Sequence, residues 1–462
     1  MPRWLLVAAL AFTGVPGGAD ARPQVASEPD SVRYEVRPSP ADASGVVSSV
    51  RVTVKLPADA RLEKAELVMP RAIPMGYGQQ PYDSFVAEVN ATDRTGARAR
   101  VARIEGPRWR VSTEGAPLAT IDYIVDVAAM EQAILSGGDS AHARPSYLGL
   151  LGYAVFAFVD GLENRPIGLD ARAPENRPEW PVFTTLAPQL PVASGAAAAR
   201  AANFYALADS QLLMGPGFRL ARLKGAPDLF MAIHAEGEVD STVMAPLAEE
   251  AYAALIRYFG SAPFPHFTLI FDYLKPRTPR HQYGFSMEHL ESATFGAVDT
   301  AAPKSSATPR ERAQFRYNVA HHIAHAWIPK RCAGEGYFPF RFELAPLIDT
   351  IWLSEGFGQY AAADALSDVL PVAAGAPSYL DTLVDARFVS TLAEMPAFLK
   401  EMPLVELSRL ASFVYSEDFR TGRTVFSRGG LLARDIDQRI RTVTGGRARL
   451  RDALRGPVAW SS

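Results

Sequence analysis

The sequence predicts an α+β protein of more than one domain: a β-rich N-terminal domain, then a mixed α/β domain whose last part is helical. Three observations carry this. Residues 30 to 185 alternate apolar and polar side chains in short runs separated by Pro, Gly and Asp, the period of half-buried strands. An Ala-rich stretch, VASGAAAARAANF at 192 to 204, breaks that pattern. Beyond it, apolar residues recur at helical spacing in long runs. At 462 residues, with 48% apolar and 21% charged side chains, the chain is long enough for two or three cores.

The segments SVRYEVRPS, GVVSSVRVTVKL, KAELVMP, RWRVSTE and TIDYIVDVA read as strands, and YAVFAFVDG and PVFTTL continue the pattern. They predict a β-sandwich or a large open sheet over residues 22–188. No cluster with catalytic spacing appears there, so this domain reads as a support. The Ala-rich stretch is expected to be a linker or a helix. In residues 189–462, TVMAPLAEEAYAALIRYFG, RERAQFRYNVAHHIAHAWI, DTIWLSEGFGQYAAADALSDVL and GGLLARDIDQRIRTVTGG read as helices and FTLIFDYL as a strand. Pro329 stops the second helix, since proline breaks a helix interior.

The N-terminus reads as a cleaved leader, residues 1–21. One positive charge precedes the apolar run WLLVAALAFTGV, and Ala19-Asp20-Ala21 fits the small-x-small cleavage rule. The run is too short for a stable membrane anchor, and no later run is long enough to span a bilayer. The expected location is periplasmic or secreted. A net charge of −3 gives no reason to expect nucleic acid or an anionic membrane as partner. The single Cys332 excludes an intramolecular disulfide, and it reads as a small loop or core residue.

Histidine placement is the informative feature. Of eight histidines, five (His281, His289, His321, His322 and His325) fall within 45 residues. His321 and His325 are four apart on one predicted helix, so both imidazoles can reach one ion. Glu355, in WLSEGF at the start of the next helix, is the best third ligand. Two His and one Glu leave a fourth position open, the layout of a catalytic rather than a structural zinc site. His322 and His325, three apart, form an alternative pair. Packing explains many single histidines. It explains poorly three within five positions of a helix otherwise lined by Val319, Ala320, Ile323, Ala324 and Trp327. Zinc peptidases carry H-E-x-x-H, with Glu as general base; here the sequence is H-H-x-x-H.

HHIAHAWIPKR followed by IWLSEGFGQY resembles the glycyl aminopeptidase family of gluzincin zinc metallopeptidases. That family's pattern is close to H-E-x-x-H-x-W-x-x-K-R followed by L-W-x-x-E-G-F/L. YALADSQLLMGP, YGFSMEHLESATF and VFSRGGLLARDIDQRIRTVTGGRARLRDALR resemble further family segments in the same order. The resemblance implies a thermolysin-like catalytic domain, one zinc ion on His321, His325 and Glu355, and peptide or protein N-termini as substrate or ligand. It also implies that Glu288 binds the free α-amino group, while Gly284 lets substrate backbone approach an edge strand. A solvent-facing strand end is the alternative reading of Glu288. The family usually continues through more helices and often a PDZ domain, whereas this sequence stops at RGPVAWSS; the expectation is a C-terminally short catalytic domain.

Two positions depart from the family. His322 replaces the general base Glu, and Phe426 in FSRG replaces the Tyr that hydrogen-bonds the tetrahedral oxyanion. General acid–base help is typically worth ~10²–10⁴-fold and one oxyanion donor about 10²–10³-fold. Tyr415, in FVYSEDF, is close enough in sequence to stand as a substitute donor. The sequence therefore predicts a zinc- and peptide-binding protein with impaired or absent turnover. The alternatives are an active aminopeptidase using His322 as base and a metal-free interaction module.

Overall fold

The computed structural model describes residues 30–461 apart from 75, 339, 371–377 and 416–417; the expected leader lies outside the described residues. The alternating segments form strands in three sheets. A six-stranded sheet runs, edge to edge, through Ala196–Ala201, Ile167–Arg172, Val32–Pro38, Ser49–Lys55, Leu118–Asp126 and Val86–Asp93. Along Ser49–Lys55, Val50, Val52 and Val54 are buried and their neighbours are not, as a one-faced sheet requires. Each such valine contributes about 1.5–3 kcal/mol of burial. Two four-stranded sheets complete the unit. One contains Lys64–Val68 and Arg108–Ser112, the other Tyr147–Leu151 and Gln211–Met214.

Two local expectations fail here. The Ala-rich stretch is neither linker nor helix. Ala196–Ala201 pairs antiparallel with Ile167–Arg172, with alternate alanines buried. The sheet ladder overrides alanine's helix propensity, and the composition change near residue 188 is no break in the β structure. YAVFAFVDG is not one strand either: Gly152–Val155 is a helical turn and only Phe158–Val159 pairs. The carbonyls of Val155 and Ala157 instead accept hydrogen bonds from Tyr123 and Tyr34 at 3.0 Å.

The second half is built on a five-stranded mixed sheet, in the order Phe218–Leu223, Asp228–Ala235, His266–Leu274, Ser292–Val298, Gly284–Glu288. The helix Ser241–Phe259 ends at Gly260, which is left-handed. Pro309–Ala324 starts on a capping box, with Thr308 and Glu311 each bonding the other's backbone and Pro309 in the first turn. It stops four residues earlier than Pro329 alone predicts. The amides of Ala326 and Trp327 turn back on carbonyls three residues away, and Trp327 buries its ring flat against Phe259 at 4.5 Å. Ile351–Ser367 and Phe419–Thr444 complete the frame. These last two cross in backbone contact: a Cβ on Gly356 would lie 2.4 Å from Gly429 Cα. That contact sets Phe426 beside the first turns of the Glu355 helix.

Candidate metal centre and cleft

His321 lies in the last turn of the helix Pro309–Ala324, and His325 is its C-terminal cap with right-handed helical φ and ψ. The two side chains therefore still stack one turn apart. Glu355 comes from the facing helix. The three donor atoms converge: His321 Nε2 to His325 Nε2 is 3.2 Å, His321 Nε2 to Glu355 Oε2 is 3.3 Å, and His325 Nε2 to Glu355 Oε2 is 3.5 Å. A tetrahedral ion with bonds of about 2.0–2.1 Å places its donors about 3.3 Å apart, so the triangle has the edge lengths of such a site. The helix stop supplies a supporting contact. The Ile328 carbonyl, freed just before Pro329, lies 2.8 Å from His325 Nδ1. That bond fixes the proton on Nδ1 and leaves the Nε2 lone pair facing the other donors.

All three donors are buried, and buried polar atoms normally have partners. Glu355 Oε2 and His321 Nδ1 have no hydrogen bond. Without an ion the charges lean on one another. Burial lowers His325, but Glu288 and Glu355 outweigh it and raise its pKa to about 9. Burial pushes Glu355 up, but the charge on His325 and both facing imidazoles hold the carboxyl well below its usual range. Burial and then His325 lower His321 to about 4. This donor set fits one small cation, which would replace the proton on His325 Nε2 and pair the orphaned Glu355 Oε2. The His321, His322 and His325 nitrogens also lie within 4.8 Å of one another, as do donor atoms of Glu288, His325 and Glu355. The alternative His322–His325 pair is thus within reach. The triangle of His321, His325 and Glu355 has all three edges at 3.2–3.5 Å.

His322 lines the same cleft. Its Nδ1 is 4.0 Å from Glu288 Oε2 and has no hydrogen bond, and its ring meets Phe295 edge-on at 5.2 Å. Burial, then His321 and His325, push its pKa far down, so it accepts a proton poorly. Glu288 is buried rather than in solvent, and burial raises its pKa. It ends the strand Gly284–Glu288, whose outer edge pairs with no other strand among the described residues. Gly284 is exposed at φ +156°, with nothing within 4 Å of where a Cβ would stand. Phe426 lies in the cleft wall, its ring 5.9 Å from that of Tyr415. Cys332 packs against the second-half core.

The cluster of five histidines divides. His281 bonds the Glu131 carbonyl at 2.8 Å, and His289 is fully buried between Asp209 and Thr294; both are structural. The N-terminal domain is more than a support. The Tyr77 hydroxyl donates to Glu355 Oε1 at 3.1 Å, and Asp139 lines the cleft. Sequence reasoning missed Tyr77, since Gly76-Tyr77-Gly78 looks like a turn. Its loop is pinned where the fully buried Lys330 donates to the Pro74 carbonyl at 2.6 Å and to Asp209 at 3.1 Å. The cleft holds about 780 Å³.

Sheets, helix stop and donor triangle together make this a multidomain α+β fold, and comparison with known proteins says what it is similar to. Residues 42–216 match the Peptidase M61 N-terminal domain. Among solved structures, an aminopeptidase N family protein from Idiomarina loihiensis superposes with a TM-score of 0.78 at 19% identity, over 93% of this chain and 70% of that one. An M1 zinc metallopeptidase from Deinococcus radiodurans superposes with a TM-score of 0.51 at 15% identity, over 94% of this chain and 87% of that one. No curated protein matches the sequence. At these identities the solved structures establish the fold. Among the described residues no helix is long and apolar enough to cross a membrane.

Proposed function

We propose that this chain is a zinc-binding, aminopeptidase-like protein that holds peptide N-termini and has lost most or all turnover. The observation that carries the reading is a contrast within one site. The donor triangle of His321, His325 and Glu355 is intact at 3.2–3.5 Å, while the adjoining base position carries an imidazole and the oxyanion position a phenyl ring. Bound zinc would supply Lewis acidity and a lowered pKa for water. The residues' own roles follow from their placement. Glu288, at the end of a free strand edge, would pair with an ammonium. The extended edge from Gly284 would pair with peptide backbone. His322 is a poor base because its protonation puts a cation against two neighbouring imidazoles in a buried site. Phe426 donates no hydrogen bond. In this reading the protein is periplasmic or secreted.

The test is release of alanine from trialanine by zinc-loaded protein, run beside His322→Glu and with zinc content measured. The expected result is one tightly bound zinc, a silent wild type, and at least ~10²-fold faster release by the variant. Chelator-sensitive turnover by the wild type, abolished in His322→Ala with zinc retained, would instead show a working histidine base. Absence of zinc binding would remove the reading altogether.

A further inference from the structure

The geometry points to a second anchor in the cleft: Arg387, placed to bind a carboxylate one or two residues beyond the N-terminal residue of a bound peptide. This inference rests on the peptide-binding reading above and narrows it to short peptides ending in a free carboxylate, or peptides with an acidic side chain at that place.

The helix Pro309–Ala324 forms the floor of the cleft. Arg310, Gln314, Tyr317, Asn318 and His321 all line it, a spacing of three or four that marks one helix face. Arg387 comes from a different segment, Val384–Val389, which is wound as a π-helix. Such wide turns often mark functional sites. Two contacts fix the guanidinium: Nη2 donates to Asn318 Oδ1 at 2.9 Å, and Cζ sits 4.5 Å above the centre of the Tyr317 ring. The Tyr317 ring is in turn nearly parallel to that of His321, 6.4 Å away. Arg387 is thus held next to the donor triangle, on the side toward the helix start.

The guanidinium is held but not neutralised. Its Nε is buried with no hydrogen-bond partner. Among the described residues, no carboxylate lies within ion-pair distance of it, nor of Arg310 or Arg423, which line the same cleft. A buried guanidinium nitrogen without an acceptor is costly, and a carboxylate oxygen is the acceptor its planar fork suits best.

Reach sets the position of that carboxylate. Asn318, the residue Arg387 grips, precedes His321 by about 4.5 Å along the helix axis. A bound peptide advances about 3.3 Å per residue in extended form. With the amino group at Glu288 and the first carbonyl at the donor triangle, a carboxylate at Arg387 belongs to the second or third residue. Dipeptides and tripeptides meet that condition with their own C-termini.

The experiment measures binding of trialanine, trialanine amide and Ala-Asp-Ala amide to the zinc-loaded chain by calorimetry, or as KM if they are cleaved. The proposal expects at least about tenfold tighter binding of a carboxylate-bearing peptide than of trialanine amide, and loss of that preference, read as the ratio of the two affinities, in Arg387→Gln. Preference for trialanine assigns the C-terminus as the ligand group; recovery by Ala-Asp-Ala amide assigns the acidic side chain. Equal binding of all three by the wild type overturns the proposal while leaving the peptide-binding reading in place. A preference that survives Arg387→Gln overturns it as well. Failure of every peptide to bind zinc-loaded protein overturns both. The wild-type comparison needs no variant, so it decides even if Arg387→Gln does not fold.

Discussion

Two buried polar clusters stand in this molecule, and they are satisfied to different degrees. Around Glu131 every charge has its partner. Oε1 accepts from His142 at 3.1 Å and Arg144 at 2.5 Å, and Oε2 accepts from the Ala143 amide at 3.1 Å and Arg277 at 2.9 Å. Arg144 goes on to Glu236 and the Tyr283 hydroxyl, both at 2.9 Å. Around Glu355, a comparably buried carboxylate faces two imidazoles with one oxygen unbonded. The first cluster is complete and ties the N-terminal domain to the segment leading into the edge strand. The second brings three donor atoms within 3.2–3.5 Å of one another and leaves one carboxylate oxygen without a hydrogen bond. Completeness separates a structural network from a ligand site better than residue type does, since both contain His and Glu.

Damage to the two clusters should therefore register in different measurements. The largest effect is expected from Glu131→Gln. It leaves Arg144 and Arg277 without their charge partner, so unfolding free energy should fall by about 3–5 kcal/mol in denaturant titration, with zinc affinity little changed. If stability holds, the Glu131 network is not the brace described here. Acid sharpens the same point. Burial raises Glu131, but His142, Arg144 and Arg277 outweigh it and bring the carboxyl from its ordinary 4.5 to about 2. A depressed carboxylate stabilises fully above its unfolded pKa and loses that contribution as pH falls. About 3 kcal/mol should thus disappear between pH 4.5 and 2, and Glu131→Gln should flatten that part of the stability curve.

At the other cluster the sign of the stability change differs. His321→Leu should leave the thermal midpoint of metal-free protein unchanged or higher, because it removes an under-satisfied buried polar group. Its zinc affinity should fall by more than about 100-fold, beyond what loss of a supporting residue costs. A large loss of metal-free stability would make His321 a structural residue. The smallest effect is expected from Tyr77→Phe, which removes only the hydroxyl on Glu355 Oε1. Zinc affinity should drop about tenfold, measured by chelator competition. No change would mean that the N-terminal domain does not tune the site.

What could be read from the sequence followed from locality. His321 and His325 are four positions apart, so helical periodicity alone brings them together, and Glu355 opens the next helix. The strands of the first domain were equally visible in their period of two. Glu131 was not: its partners Arg144 and Arg277 are 13 and 146 residues away, and no local pattern encodes such a meeting. Tyr77 and Arg387 were missed for the same reason, since one reaches the cleft from a loop and the other from a π-helical segment distant in sequence. The Ala-rich strand was misread because pairing with Ile167–Arg172, not intrinsic preference, decides its conformation. Helix ends were off where tertiary contacts intervened, as at Trp327, which buries against Phe259 and closes the turn early.

Lys330 has a bearing on modularity. Five positions after His325, its ammonium holds a backbone carbonyl of the N-terminal domain and the Asp209 carboxylate together. A carbonyl cannot be altered by changing a side chain, so this tie survives drift in the sequence of the 71–80 loop as long as the loop keeps its path. At this point the two halves are therefore coupled through shape, whereas Tyr77 and Glu131 couple them through residue identity. A chimera that exchanges the first domain should keep its cleft only if the donor's loop presents a carbonyl at the same place.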